Sequence, residues 1–134
     1  ASLVVFIDPE FTDQEDFYRA KCLALNIIKK NPFATIVIFY PLIFGSKWRY
    51  GYGKMIKDDV KKCKQGVFST WFTTDNDNKT GEYQGSGVVV INPIRDFDHV
   101  VDEATIDWLS STLITKGRSD YSIDLWMKKK KVKP

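Results

Sequence analysis

Two apolar runs, Leu3-Val4-Val5-Phe6-Ile7 and Thr35-Ile36-Val37-Ile38-Phe39-Tyr40, bracket a stretch with helical spacing, and no other feature constrains the fold so tightly. Runs rich in β-branched and aromatic residues, with no polar alternation, read as strands buried on both faces. Between them Phe17, Ala20, Leu23, Ala24, Ile27 and Ile28 recur by threes and fours, the stripe of an amphipathic helix. Thr12 and Glu15 match a capping box, Lys29 and Lys30 suit the negative end of the helix dipole, and Pro32 stops the helix. Strand, helix and strand with short links make a βαβ unit, whose two strands run parallel.

Further along, Met55, Ile56, Val60 and Cys63 form a narrow apolar stripe among lysines, predicting a short helix over 54–64 that Gly66 ends. Residues 67–74 and 88–91 predict an antiparallel hairpin with a polar tip at 75–81, and Gly85-Ser86-Gly87 reads as a break before its second strand. A helix is predicted over 103–116 with Asp102 as its cap and Gly117 as its stop. Residues 121–127 predict a last, half-exposed strand at a sheet edge. The fold class is therefore α/β: a central mixed sheet of about five strands, in the order β-α-β-α-β-β-α-β, forming one domain over 1–127. Residues 128–134 are a basic, solvated tail.

The charge is unevenly spread. The net charge is only +3, but residues 45–64 hold seven Lys or Arg against Asp58 and Asp59, and residues 127–134 hold five lysines and no acid. Residues 92–110 set Arg95 against Asp96, Asp98, Asp102, Glu103 and Asp107. A basic region and an acidic one follow. Two cysteines, Cys22 and Cys63, are too few for a disulfide framework and fit a reducing compartment. With no signal peptide and no apolar run of spanning length, the expectation is no membrane and an intracellular location, cytoplasmic or, in a eukaryote, nuclear.

The basic region carries the first site candidate. In GSKWRYGYGK, residues 45–54, aromatic and basic side chains are interleaved with glycines. Lys and Arg neutralise phosphates, aromatic rings stack on unpaired bases, and glycines let a backbone approach a ligand. Read as a loop, this stretch makes Lys47, Trp48, Arg49, Tyr50, Tyr52 and Lys54 a nucleic-acid-binding set, extended by Lys57, Lys61, Lys62 and Lys64. The competing reading folds its aromatics back onto the core. GYGK lacks the phosphate-loop spacing, which removes support for a nucleoside triphosphatase.

Carboxylates supply the second candidate. Ligands in open α/β sheets bind beyond the carboxyl ends of the strands. The first strand ends at Asp8-Pro9-Glu10, and the third, if parallel to it, at Asp75-Asn76-Asp77. Asp8, Glu10, Asp75 and Asp77 are then catalytic and metal-ligand candidates, for Mg²⁺ in a phosphoryl-transfer site. An acid after a first strand and a DxD after a later one faintly resemble the TOPRIM nucleases and topoisomerases, over residues 8–10 and 75–82 alone. In that family a helix follows the DxD, whereas a glycine-broken hairpin is expected here, and the match does not assign the chain to the family. DNDNKTGE also departs from a calcium loop, with Gly81 seventh rather than sixth and Ser86 where the bidentate Glu belongs. His99, the one histidine, lies among acids that favour its protonated form. No Cys/His cluster has zinc spacing.

The function expected is thus a small, non-enzymatic binding module that contacts nucleic acid through the basic–aromatic stretch and needs no cofactor. A protein-interaction or inhibitor domain docking through an aromatic patch or open strand edge is one alternative. A nuclease-like metal-dependent enzyme is the other.

Overall fold

A computed structural model describes residues 3–43, 46–61, 66–73, 84–93, 111–112 and 120–126. Within them the chain runs β1 (Val4–Ile7), α1 (Glu15–Lys30), β2 (Thr35–Pro41), α2 (Ser46–Lys61), β3 (Val67–Thr73), β4 (Gly85–Ile91) and β5 (Tyr121–Trp126). The strands form one mixed sheet in the order β1-β2-β4-β3-β5, so the α/β class and the mixed five-stranded sheet are as expected. The helix expected over 103–116 lies outside the described residues, except for the helical, exposed pair Ser111 and Thr112.

β1 pairs parallel to β2, with Phe6 opposite Val37, as the βαβ unit predicts. β4 is antiparallel to both β2 and β3, and β5 antiparallel to β3. β1, β2 and β3 therefore share one direction, and their carboxyl ends lie along one rim of the sheet. α1 and α2 leave that rim and pack on one face.

The start of α1 is one residue out of phase with the expected box. Asp16 Oδ2 accepts from the Thr12 and Asp13 amides at 2.8 and 3.1 Å, and Asp13 Oδ1 accepts from the Asp16 amide at 3.2 Å. Asp13 and Asp16, not Thr12 and Glu15, make the reciprocal pair. These amides, with Arg19, hold the Asp16 carboxyl below its ordinary range, at about 2. Phe17, Ala20, Ala24 and Ile28 form the buried stripe, while Leu23 is exposed.

The largest difference from expectation is α2. Its helix begins at Ser46, so most of the stretch read as a loop is helical. Trp48, Tyr52, Ile56 and Val60 follow one another by fours, and all four are fully buried. That column faces α1 and the sheet, as helical spacing requires. Gly51 and Gly53 disfavour a helix by about 1 kcal/mol each, and burial of large side chains, each contributing roughly 1.5–3 kcal/mol, outweighs them. Gly53 also has a packing role: a Cβ there would lie 2.7 Å from Ser69 Cβ on β3.

β4 begins at Gly85, so the glycines read as a break lie within the strand. Gly87 pairs with Tyr40 on one side and Trp71 on the other. A Cβ at 87 would overlap the Tyr40 ring, so hydrogen is the only substituent that fits.

Candidate functional site

The rim is where the sequence placed its chemistry; around it and along α2 lie a sealed aromatic group, a set of ion-paired lysines and an open cleft. The first group is aromatic. Trp48 stacks on Phe17 with ring centroids 4.5 Å apart and planes 14° apart. Tyr18 meets Trp48 edge-on at 5.2 Å, and Tyr52 meets Phe17 edge-on at 5.1 Å and Tyr40 at 4.9 Å. The Tyr52 hydroxyl donates to the Phe17 carbonyl oxygen at 2.7 Å. Such pairs contribute about 0.5–1.5 kcal/mol each beyond area burial. Burial disfavours the phenolates and so moves the ionisation of both Tyr40 and Tyr52 to higher pH. Trp48 and Tyr52, taken from the sequence as base-stacking residues, are core residues; neither presents a ring face to a ligand.

The lysines of α2 form the second group, engaged in ion pairs rather than hidden. Lys54 Nζ lies 2.9 Å from Asp58 Oδ2 one turn along the helix, and Lys57 Nζ lies 2.7 Å from Asp124 Oδ2 on β5. Lys21 of α1 reaches Asp59 at 3.0 Å. Asp58 and Asp59, counted as a minor correction to a basic stretch, thus engage lysines in space, as does the distant Asp124. Lys57 and Asp124 line a cleft of about 300 Å³ with Tyr40, Ser69 and Ser122. The side chains of Lys47, Arg49, Tyr50 and Lys61, and residues Lys62 and Lys64, lie outside the described parts.

The open group is a second cleft of about 300 Å³ at the carboxyl ends of β1 and β2. It is lined by Asp8, Pro9, Phe11, Phe39, Tyr40, Pro41 and Ser86 to Val88. Asp8 is the one carboxylate among the described lining residues and is exposed, as are Pro9 and Glu10. Phe11 is anchored against Phe17 at 4.7 Å, which fixes one wall. Phe39 is partly exposed and stacks on Phe6 at 6.2 Å. The walls are therefore prolines and aromatic rings, with an acceptor at the mouth.

Of the four expected carboxylates, the structure places Asp8 and Glu10 on this rim. Asp75 and Asp77 lie outside the described residues. β3, which precedes them, is separated from β1 by β2 and β4, a distance of about 14 Å at the usual strand spacing. Among the described residues no group of three or more His, Cys, Asp or Glu is gathered, and no helix is long and apolar enough to cross a membrane.

Sequence reasoning missed Phe11, Phe39, Pro41 and Gly87 as site residues. A signal was present: a parallel β1–β2 pair must set Tyr40-Pro41 beside Asp8-Pro9 at the same end.

No family model and no curated protein matches this chain. Among solved structures, a Legionella pneumophila str. Philadelphia 1 protein of family-model DUF519 has a similar fold, with a TM-score of 0.72 at 20% identity. The match covers 92% of this chain and 43% of the Legionella chain, so this chain spans less than half the length of that protein. At this identity the likeness concerns the fold alone.

Proposed function

We propose that the cleft at the carboxyl ends of β1 and β2 binds a nucleobase, and that contact with nucleic acid is made here rather than through α2. The observation that supports this reading is the pairing of one exposed carboxylate, Asp8, with walls of Pro9, Phe11, Phe39 and Pro41. A purine or pyrimidine is a flat ring, and adenine, guanine and cytosine also carry an exocyclic amine donor on its edge. Its faces suit proline and aromatic walls, and its amine suits a carboxylate acceptor. The volume falls at the lower end of the small-molecule range, where a single base fits. The position is also where open α/β sheets place ligands.

The α2 lysines support a lesser role. Lys54 and Lys57 already face Asp58 and Asp124, so any phosphate must compete with those carboxylates.

The test is titration of the isotopically labelled chain with uncharged nucleosides, read by amide shifts. Adenosine and cytidine, which carry an exocyclic amine, are expected to move residues 8–11, 39–41 and 86–88 saturably and independently of salt. Uridine is expected to bind less tightly, and Asp8→Ala to weaken adenosine about tenfold, which corresponds to about 1.4 kcal/mol. An RNA oligonucleotide should shift the same residues with added salt dependence. Shifts confined to α2, or none at millimolar nucleoside, would overturn the reading.

A further inference from the structure

β1 is the outermost strand of the sheet, and it is built like an inner one. Among the described residues its one neighbour is β2. The Thr35 amide donates to the Leu3 carbonyl at 2.9 Å. The alternation of a parallel ladder then turns the N–H and C=O groups of Val4 and Phe6 outward, with no strand among the described residues to receive them. Natural edge strands carry charges, prolines or bulges that discourage pairing. Val4-Val5-Phe6-Ile7 has none of these.

Its side chains say the same. Val5 and Ile7 turn toward the helical face, where Ile7 is buried and Val5 packs against the core. On the other face Phe6 is 67% exposed and Val4 48%, beside a partly exposed Phe39 on β2. Parallel strands are ordinarily covered on both faces. Here an apolar ladder of Val4, Phe6 and Phe39 continues to the sheet margin and stops.

We propose that a further sheet-bearing polypeptide unit seats on β1, adding a strand to its open edge and covering Val4, Phe6 and Phe39. Three observations favour such a unit over a second copy of this chain. The Legionella fold contains nearly all of this one within less than half its length, so there the same fold sits in a larger body. The open edge is continuous with the rim cleft, because Asp8 directly follows β1. An added strand would lie about 4.8 Å from β1 and bring its own end beside that carboxylate. The chain proceeds from β1 through α1 to β2 on one side; a unit on the other side makes β1 the strand at which the sheet's connections diverge. That is the crevice where α/β sheets bind ligands. The seat would thus add a wall to the Asp8 cleft at the sheet margin. This inference does not rest on what the cleft binds.

Hydrogen exchange on two proteins, with light scattering on the first, tests it. In the 134-residue chain residues 4–7 are expected to exchange at least tenfold faster than residues 36–39, and the chain to remain monomeric. In the intact Legionella protein the strands matching β1 and β2 are expected to exchange equally slowly. Three results overturn the proposal: a homodimer of this chain that protects residues 4–7, a monomer in which they are already protected, or a Legionella β1 counterpart that exchanges as fast as the strand here. The first would make a second copy the occupant. Failure of nucleoside binding leaves these readouts untouched, so the two readings fail separately.

Discussion

Two sets of aromatic side chains change places between sequence and structure. Trp48 and Tyr52, set among lysines and glycines, are fully buried, whereas Phe6 and Phe39, set in the two most apolar runs of the chain, reach solvent. Local composition is a poor guide to exposure because a helix turns every neighbour to a different face. What decides is the period: 48, 52, 56 and 60 share one stripe, and that stripe meets Phe17 and Tyr40. A strand's exposure is decided instead by what lies beside it in the sheet, which its own sequence does not contain. Phe6 is apolar in sequence, yet at this sheet margin it and Val4 are exposed.

The comparison is broken most directly by truncating Trp48. Trp48→Ala removes the ring stacked on Phe17 and leaves a cavity between α1 and α2. A loss of about 3–5 kcal/mol is expected, read by urea unfolding with α2 helicity followed separately. A loss below about 1 kcal/mol would mean that the aromatic cluster is not the core of this layer. The next largest effect belongs to Gly87→Ala. Its methyl would overlap the Tyr40 ring, which is held between Phe17 and Tyr52 and cannot withdraw freely. Overpacking of this kind costs about 1–3 kcal/mol, and Tyr40→Leu in the same chain should recover part of it by vacating the space.

Tyr52→Phe probes the sealed state by its proton. At neutral pH it removes the hydrogen bond to the Phe17 carbonyl, a loss of about 1 kcal/mol. The alkaline limb carries the sharper signature. Tyr40 and Tyr52 have ionisations raised above the ordinary value of 10.0, chiefly by burial. Their contribution is complete below pH 10 and is lost as pH rises above it, because the unfolded chain ionises first. Tyr52→Phe should therefore flatten the alkaline decline in stability, and an unchanged decline would show that Tyr52 is open to water.

Much of the fold was legible for reasons these variants expose. β1, α1 and β2 each carry a complete local signal, periodicity with a start or a stop, and a βαβ unit needs no distant information. The hairpin of β3 and β4 was legible from its two β-branched runs. The start of α2 was not, because Gly51 and Gly53 argue locally for a loop and are overruled by burial of Trp48 and Tyr52 against Phe17 and Tyr18 of α1. Gly85 and Gly87 misled in the same way, since close approach of Tyr40 is a tertiary fact. Of the site, Asp8 was legible because strand ends in α/β sheets are where ligands sit. Its apolar walls were not, because Phe39 and Pro41 become wall residues only once β1 and β2 are aligned in register.

The smallest expected effect is the most informative about the open margin. Phe6→Lys places a charge in the middle of β1, which in a covered strand would be among the costliest changes available. In this chain Phe6 projects into solvent, and its one described ring partner is Phe39 at 6.2 Å. Replacement should therefore alter unfolding stability by no more than about 0.5 kcal/mol. The long methylene stem of lysine can still lie along Phe39, and the charge gives the bare edge the kind of protection natural edges carry. A loss of several kcal/mol, as large as that of Trp48→Ala, would place Phe6 in a packed interior and erase the distinction between the two aromatic sets. A neutral result would make this position the reverse of Trp48: apolar in sequence, yet contributing nothing to the stability of the chain on its own.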